Sequence, residues 1–156
     1  MLVKVDKARI IHAPSPRSFA GLMDLYEYNY LRLRKIAPDL EIADRMVSTV
    51  PQHHDLYLSV SERCKYTTML SMTYRFGEPD NYIFEPDLHL KVYHDARVVE
   101  VQQLRSRTRG FIDINDEIQH KWMMNRFLYK WLGYCLHQGH YFQPMRPYKK
   151  QLPQSS

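Results

Sequence analysis

The fold is decided by residues 56–76, which read LYLSVSERCKYTTMLSMTYRF. Apolar and polar residues alternate in two runs, from Leu56 to Val60 and from Thr68 to Phe76. Because successive side chains of a strand point to opposite faces, each run predicts a strand with one buried face. A short connection between two such runs is typical of a hairpin, so the two strands are expected to pair in antiparallel orientation.

The alternation continues along the chain. It returns at residues 88–92 after a loop at 77–81, and again at 97–104 after a short turn at 94–96. Such short connections predict an antiparallel sheet of four or five strands. Residues 39–54 lack a clear period and predict a loop that holds a short helix or strand.

An apolar stripe with helical spacing precedes the strands, between about Ser18 and Ile36. Its members are Phe19, Leu22, Met23, Tyr26, Tyr30 and Leu33. This spacing predicts an amphipathic helix. Ser15 before Pro16 is the predicted N-cap, and Pro38 is expected to end the helix.

A second helix is predicted from near Asn115 to near Gly139, with apolar residues around most of its circumference. A helix on one sheet face cannot bury such a surface alone, so a second cover is expected. That cover is either the N-terminal helix of the same chain or the matching helix of a second subunit in a homodimer. The predicted fold class is α+β, an antiparallel sheet with an N-terminal helix and a long C-terminal helix packed on it, in one domain over residues 1–140.

Composition limits the class of protein. The chain has 156 residues, 44% of them hydrophobic and 25% charged, which is typical of one globular domain. Two cysteines exclude a disulfide scaffold, and no run approaches the roughly 20 apolar residues of a membrane helix. The opening residues lack the features of a signal peptide, so we expect a cytoplasmic protein with no membrane partner.

The net charge of +5 is concentrated in the C-terminal quarter of the chain. Residues 121–156 contain six basic side chains and no acidic one. Residues 141–156 are also rich in Pro and Gln, which predicts a basic, disordered tail.

Three groups of residues resemble one known family. They are Glu62-Arg63-Cys64 with Tyr66-Thr67-Thr68, then Tyr93-His94-Asp95-Ala96-Arg97, and then Asn125-Arg126-Phe127-Leu128 with Trp131-Leu132 and Cys135-Leu136. In this order they are similar to the YqiB-like proteins, a proteobacterial family classed as a domain of unknown function. The likeness runs from about residue 26 to residue 139 and departs at residues 111–115, where relatives have an aromatic segment rich in Pro and Asn. The resemblance implies a bacterial protein and no established activity, catalytic residue or cofactor.

Two polar residues, Lys121 and Asn125, interrupt the apolar arc of the second helix one turn apart. A buried lysine requires a carboxylate or loses its charge, and a buried amide requires hydrogen-bond partners. One interpretation is the floor of a polar pocket, in which Lys121 binds an anionic ligand that Asn125 orients. The other is a structural network in which Lys121 pairs with Glu62, Glu100 or Asp95.

The predicted turn after the third run contains His94, Asp95 and Arg97. A His beside a carboxylate can act as a general base or contact a phosphate, so His94 and Arg97 are further candidate ligand-binding residues. The alternative is an ordinary turn, where Asp is common and neighbouring side chains point to opposite faces.

Three arginines alternate after the last predicted strand, at Arg105, Arg107 and Arg109. In an extended chain they face one way and could contact successive phosphates of a nucleic acid, while Tyr93 and Phe111 stack on bases. The alternative is a solvated edge strand that its charges protect from aggregation.

Cysteine and histidine residues provide weaker candidates. Cys135, His137 and His140 lie near a helix end but lack the paired ligands of a zinc site, so neither a metal nor a cofactor is predicted. Cys64 has basic neighbours that favour a thiolate, but no base to activate it can be identified.

The sequence contains no Gly-rich phosphate loop, nucleophile elbow or carboxylate pair. The predicted function is therefore a non-catalytic cytoplasmic module that binds an anionic ligand or a protein partner. One alternative is a small enzyme acting on a nucleotide-like phosphorylated substrate, which requires Lys121, His94 and Arg97 to meet in one cleft. Another is a protein that binds single-stranded nucleic acid through the three arginines.

Overall fold

The strands pair in the order in which they occur in the sequence. The computed structural model describes residues 18–106 and 117–143. Its elements are α1 (Phe19–Ile36), β1 (Arg45–Ser48), β2 (Leu56–Arg63), β3 (Thr67–Glu78), β4 (Asn81–Tyr93), β5 (Val98–Arg105) and α2 (Glu117–Gln138). Each strand is antiparallel to its neighbour in a sheet of order β1-β2-β3-β4-β5. The predicted α+β fold, with one helix before the sheet and one after it, is confirmed.

The two faces of the sheet differ in burial. On one face, the strands contribute Leu56, Leu58, Leu70, Met72, Leu88, Leu90, Val92, Val99 and Val101 to a core that also contains Leu33, Ile36, Leu128, Trp131 and Leu132 of the helices. The residues that alternate with these on the strands are all half-buried or exposed. We call this second side the open face, and its members are Arg45, Val47, Tyr57, Ser59, Met69, Ser71, Thr73, Arg75, Tyr82, Phe84, Asp87, His89, Lys91, Tyr93, Glu100, Gln103 and Arg105.

The first helix begins at a side-chain cap. The hydroxyl of Ser18 accepts a hydrogen bond from the Gly21 N–H at 3.0 Å. The N-cap is therefore Ser18 and not Ser15 as predicted, and Ser15 itself lies outside the described residues. Ser18 satisfies one of the N–H groups that the first turn of a helix leaves unpaired.

The second helix is covered by α1 of the same chain. The Asn29 amide of α1 donates to the Asn125 carbonyl at 3.0 Å, and Arg32 donates to the Tyr129 carbonyl at 2.6 Å. Of the two covers predicted for this helix, the structure contains the intramolecular one. Gly139 follows α2 with φ of +99°, in agreement with its predicted place after the helix end.

Three details differ from the sequence expectations or extend them. Residues 39–54 hold β1, a strand of only four residues. The loop predicted at residues 77–81 is a two-residue turn, because β3 extends to Glu78, which pairs with Asn81. At the start of the predicted tail, Phe142 is fully buried and its N–H donates to the Ile36 carbonyl at 2.8 Å.

Neither α1 nor α2 has a stretch long and apolar enough to cross a membrane, and no other helix of the described residues does.

Candidate functional site

A pocket of about 300 Å³ opens where the first turns of both helices meet β5. Its lining residues are Phe19, Leu22, Met23, Tyr26, Glu100, Glu117, Ile118 and Lys121. The wall is mostly apolar, with one ammonium and two carboxylate groups. This volume lies at the lower end of the range for small-ligand sites.

Helical spacing explains why α1 and α2 line the pocket. The α1 residues Phe19, Leu22, Met23 and Tyr26 are three, four and seven positions apart, so they share one side of the helix. The α2 residues Glu117 and Lys121 are one turn apart in the same way.

Glu100 of β5 is the hub of the polar contacts. One carboxylate oxygen accepts from the Tyr26 hydroxyl at 3.2 Å and from the Lys121 ammonium at 3.4 Å. The other accepts from the Tyr93 hydroxyl at 3.3 Å and from the Gln102 amide at 3.2 Å. The Glu100 side chain is 17% exposed, and these four donors satisfy the hydrogen-bonding capacity of a largely buried carboxylate.

The same carboxylate shifts the titration of its neighbours. Burial, followed by the charge of Glu100, raises the pKa of Tyr26. The charge of Glu100 also raises the pKa of Lys121, against the opposing effect of burial and with a further contribution from Glu117. Lys121 is therefore held in its cationic form.

Lys121 forms ion pairs with two carboxylates. Its Nζ lies 3.4 Å from Glu100 Oε2 and 3.6 Å from Glu117 Oε2. Of the three partners that the sequence suggested, the structure selects Glu100, and it adds Glu117. The site is thus a cationic lysine, paired with two carboxylates, beside an apolar wall.

Asn125 is fully buried next to the pocket but does not line it. Its Oδ1 accepts from the Val101 N–H at 2.9 Å, and its Nδ2 donates to the Lys121 carbonyl at 2.8 Å. The amide therefore satisfies a backbone donor of β5 and ties the strand to α2.

His94 and Arg97 lie away from Lys121. His94 Nε2 is 2.7 Å from the Thr68 hydroxyl, and the Arg97 guanidinium lies 5.0 Å from the centre of the Tyr30 ring. Asp95 accepts from the Ala96 N–H at 2.9 Å, as in an ordinary turn. Neither His94 nor Arg97 lines the pocket, so the structure does not place these two residues with Lys121 there. A ligand-binding role for either stays a prediction.

Of the three candidate arginines, the described residues include only Arg105. It is exposed at the end of β5, where it is paired in register with Asp87. Arg107 and Arg109 lie outside the described residues, as does Phe111. Their proposed contact with an anion or a nucleic acid stays a prediction.

The candidate metal ligands near the end of α2 have other partners. Cys135 Sγ lies 3.1 Å from the Tyr74 hydroxyl, and burial raises the pKa of this thiol to about 12. His140 Nδ1 lies 2.9 Å from the Ser48 hydroxyl. Across residues 18–106 and 117–143, no group of three or more His, Cys, Asp or Glu side chains is placed to hold a metal.

Most of the apolar pocket wall was not predicted from the sequence. Phe19, Met23 and Tyr26 were assigned to the stripe of a core-facing helix, and Ile118 had no distinguishing pattern. Glu100 was identified as a partner of Lys121 but not as the hub.

A sequence family described as "Protein of unknown function (DUF1249)" matches residues 32–141. Proteins called "Uncharacterized protein YqiB" from three strains of Escherichia coli are each 30% identical to this chain over 127 residues, which cover 78% of this chain and 90% of the relative. No solved structure matches the chain. The matched region contains Glu100, Glu117 and Lys121, whereas the α1 residues of the pocket precede it.

Proposed function

The chain belongs to the DUF1249 family of proteins of unknown function, and we propose that it is a non-catalytic cytoplasmic module that binds a protein partner at the pocket between α1, α2 and β5. The observation that carries this proposal is an apolar wall, with Phe19 and Ile118 exposed, beside a lysine whose charge is already matched by two carboxylates. Two free thiols, Cys64 and Cys135, suit a reducing compartment.

The two exposed residues of the apolar wall favour a macromolecular partner. Phe19 is 64% exposed and Ile118 is 39% exposed, and both stand at the mouth of the pocket. Apolar side chains around a cavity with a polar rim are typical of sites that receive an anchor side chain from another protein.

The charge of the pocket indicates which partner fits. Lys121 contributes one positive charge, and Glu100 and Glu117 contribute two negative charges. An anionic ligand would have to displace these carboxylates from Lys121. A partner segment that offers an apolar side chain next to a Lys or Arg matches both the wall and the remaining carboxylate.

The contacts of the polar groups support binding more than catalysis. Glu100 already accepts from four donors, and Lys121 is held by two carboxylates. A general base or nucleophile requires a reactive group within hydrogen-bond reach of a substrate, and His94 is bonded elsewhere.

Selection from a random peptide library tests this function. The library is displayed on phage and selected against the wild-type protein, the Ile118→Asp variant and the Ile42→Asp variant. Ile42 is 71% exposed in the turn after α1 and does not line the pocket, so it is a matched control for Ile118. We expect the wild type and Ile42→Asp to enrich peptides with an apolar residue beside a Lys or Arg, and Ile118→Asp to lose them.

A synthetic peptide with the selected sequence then measures the charge preference. Glu117→Gln should weaken its binding while a neutral analogue of the peptide is unaffected. Acidic peptides, or peptides that bind Ile118→Asp as well as the wild type, would contradict the proposed function.

A further inference from the structure

The open face of the sheet lies on the other side of the strands from the helices and has its own chemistry. We propose that this face binds single-stranded nucleic acid. The inference does not depend on the pocket, because it rests on different side chains.

Aromatic rings are exposed at one end of this face. Phe84 is 53% exposed and Tyr82 is 38% exposed, and half-buried Tyr57 lies beside them. The ring centres of Tyr57 and Phe84 are 6.0 Å apart at an interplanar angle of 76°, and those of Tyr82 and Phe84 are 6.5 Å apart at 62°. Phe84, the most exposed of the three rings, presents the surface on which an unpaired base can stack.

The arginine within this aromatic group is fixed in place. The Arg75 guanidinium lies 4.2 Å from the Tyr82 ring centre and 5.5 Å from the Tyr57 ring centre. It also donates to the Asp55 carboxylate at 2.9 Å. This network orders the aromatic side chains before a ligand arrives, which reduces the entropy lost on binding.

Cations on the same face would attract the phosphates of a nucleic acid. Within the described residues, Arg45, Lys91 and Arg105 form no ion pair. Among the acids on or beside this face, Asp55 is paired with Arg75, and Glu100, opposite Lys91, is paired with Lys121, while Asp87 lies 3.1 Å from His89 Nε2. The three cations lie on β1, β4 and β5, so positive charge is distributed across the sheet. Phosphates of an extended strand could reach more than one of them.

The centre of the open face favours a nucleic acid over a protein. Ser59 and Ser71 are opposite each other on β2 and β3, and Thr73 follows on the same side. Small hydroxyl side chains provide hydrogen bonds to bases and phosphates but no apolar core of the kind that anchors a protein interface. Hydroxyl side chains between aromatic rings and cations are therefore suited to a single strand.

Fluorescence anisotropy with a labelled oligothymidylate, and with its oligouridylate counterpart, tests this proposal. We expect binding that weakens steeply between about 50 and about 200 mM salt. Phe84→Ala should raise the dissociation constant about ten-fold, the order expected for the loss of one base stack, and Phe84→Trp should restore it. Tyr134→Ala is the matched control, because Tyr134 is 56% exposed on α2.

A charge comparison separates the open face from the basic C-terminal region. Arg105→Gln should weaken binding and reduce its salt dependence, whereas Lys149→Gln with Lys150→Gln should leave the effect of Phe84→Ala intact. Three results would overturn the proposal: no binding at the lower salt, equal losses in Phe84→Ala and Tyr134→Ala, or binding abolished by the Lys149 and Lys150 changes alone. Ile118→Asp should not alter oligonucleotide affinity, which keeps this test independent of the proposed partner site.

Discussion

A single buried amide joins the candidate site to the sheet. Asn125 binds a backbone N–H of β5 through Oδ1 and a backbone carbonyl of α2 through Nδ2. Its polarity is thus used by the protein itself, which explains how a polar residue is accommodated in the apolar arc of the helix. Asn125 holds in place the strand that carries Glu100, so it affects the pocket by positioning Glu100.

Removing this amide should destabilise the fold. Asn125→Ala leaves the Val101 N–H buried without its acceptor, which we expect to lower the free energy of unfolding by about 1–3 kcal/mol. Urea denaturation followed by circular dichroism measures the change. Arg126→Ala, at the exposed neighbouring position, serves as the control and should change stability by less than about 0.5 kcal/mol. Similar losses in the two variants would show that the amide has no special role.

His140 should make stability depend on pH. Burial lowers its pKa from the ordinary 6.5, with a further decrease from His53 that Asp55 opposes. The unfolded chain therefore takes up a proton at a higher pH than the folded protein. The stabilising contribution of neutral His140 is complete above about pH 6.5. It is lost as the pH falls toward the lowered pKa of His140 in the folded protein.

Urea denaturation across this pH range tests the histidine assignment. The contribution of His140 to the free energy of unfolding should fall below pH 6.5 by no more than about 1.4 kcal/mol per pH unit, the limit for one proton. His140→Gln should reduce that slope, and His137→Gln, at an exposed site on α2, should preserve it. If His140→Gln keeps the full slope, another group is responsible.

At the scale of elements, two glycines with positive φ differ in how tightly they are surrounded. Gly77 lies in the β3–β4 hairpin, and Gly139 follows the end of α2. Gly77 and Gly139 have φ of +96° and +99°. A Cβ on Gly77 would lie 2.6 Å from the Asn81 carbonyl oxygen, whereas one on Gly139 would be no closer than 4.0 Å to the atoms of Val50.

Alanine substitution of the two glycines should therefore differ in cost. Gly139→Ala should lower the free energy of unfolding by about 1–2 kcal/mol, the cost of placing a residue with a Cβ in a left-handed backbone conformation. Gly77→Ala should lower it further because the hairpin backbone must also move. Thermal unfolding of both variants provides the comparison. Equal shifts in Tm would indicate that the hairpin adjusts without strain.

The accuracy of the sequence predictions followed the length of each pattern. The runs of β2 to β5 and the stripe of α1 extend over enough residues for a period to emerge, and all were predicted. β1 has four residues, too few for a period, and Phe142 is a single apolar residue in a polar segment. Neither could be recognised without the partners that bury it.

The candidate site follows the same rule. Lys121 and Asn125 were found because they interrupt a long apolar arc. The pocket itself joins residues of α1, β5 and α2 that are far apart in the chain, and pairing of this kind leaves no periodic trace. Only the chemistry of a half-buried lysine, which requires a carboxylate, indicated Glu100 from the sequence.

At the scale of the whole molecule, the two layers separate the proposed binding surfaces. The helices cover one face of the sheet and form the pocket with β5, while the open face lies on the other side. Glu100, on the edge strand β5, is the residue that the two surfaces share. A ligand on one side therefore leaves the other accessible, and a change at Ile118 should not affect the chemistry at Phe84.

This closed arrangement also predicts that the protein is a monomer. The apolar surface of α2, which would otherwise require a second subunit, is covered by α1 through the contacts of Asn29 and Arg32. Native mass spectrometry at low micromolar concentration should therefore give the mass of one chain. A doubled mass would mean that the helices still present an interface, and Tyr134→Asp on the exposed side of α2 should then restore the monomer. A dimer that persists in this variant would place the interface elsewhere, with the open face as the next surface to test by Phe84→Asp.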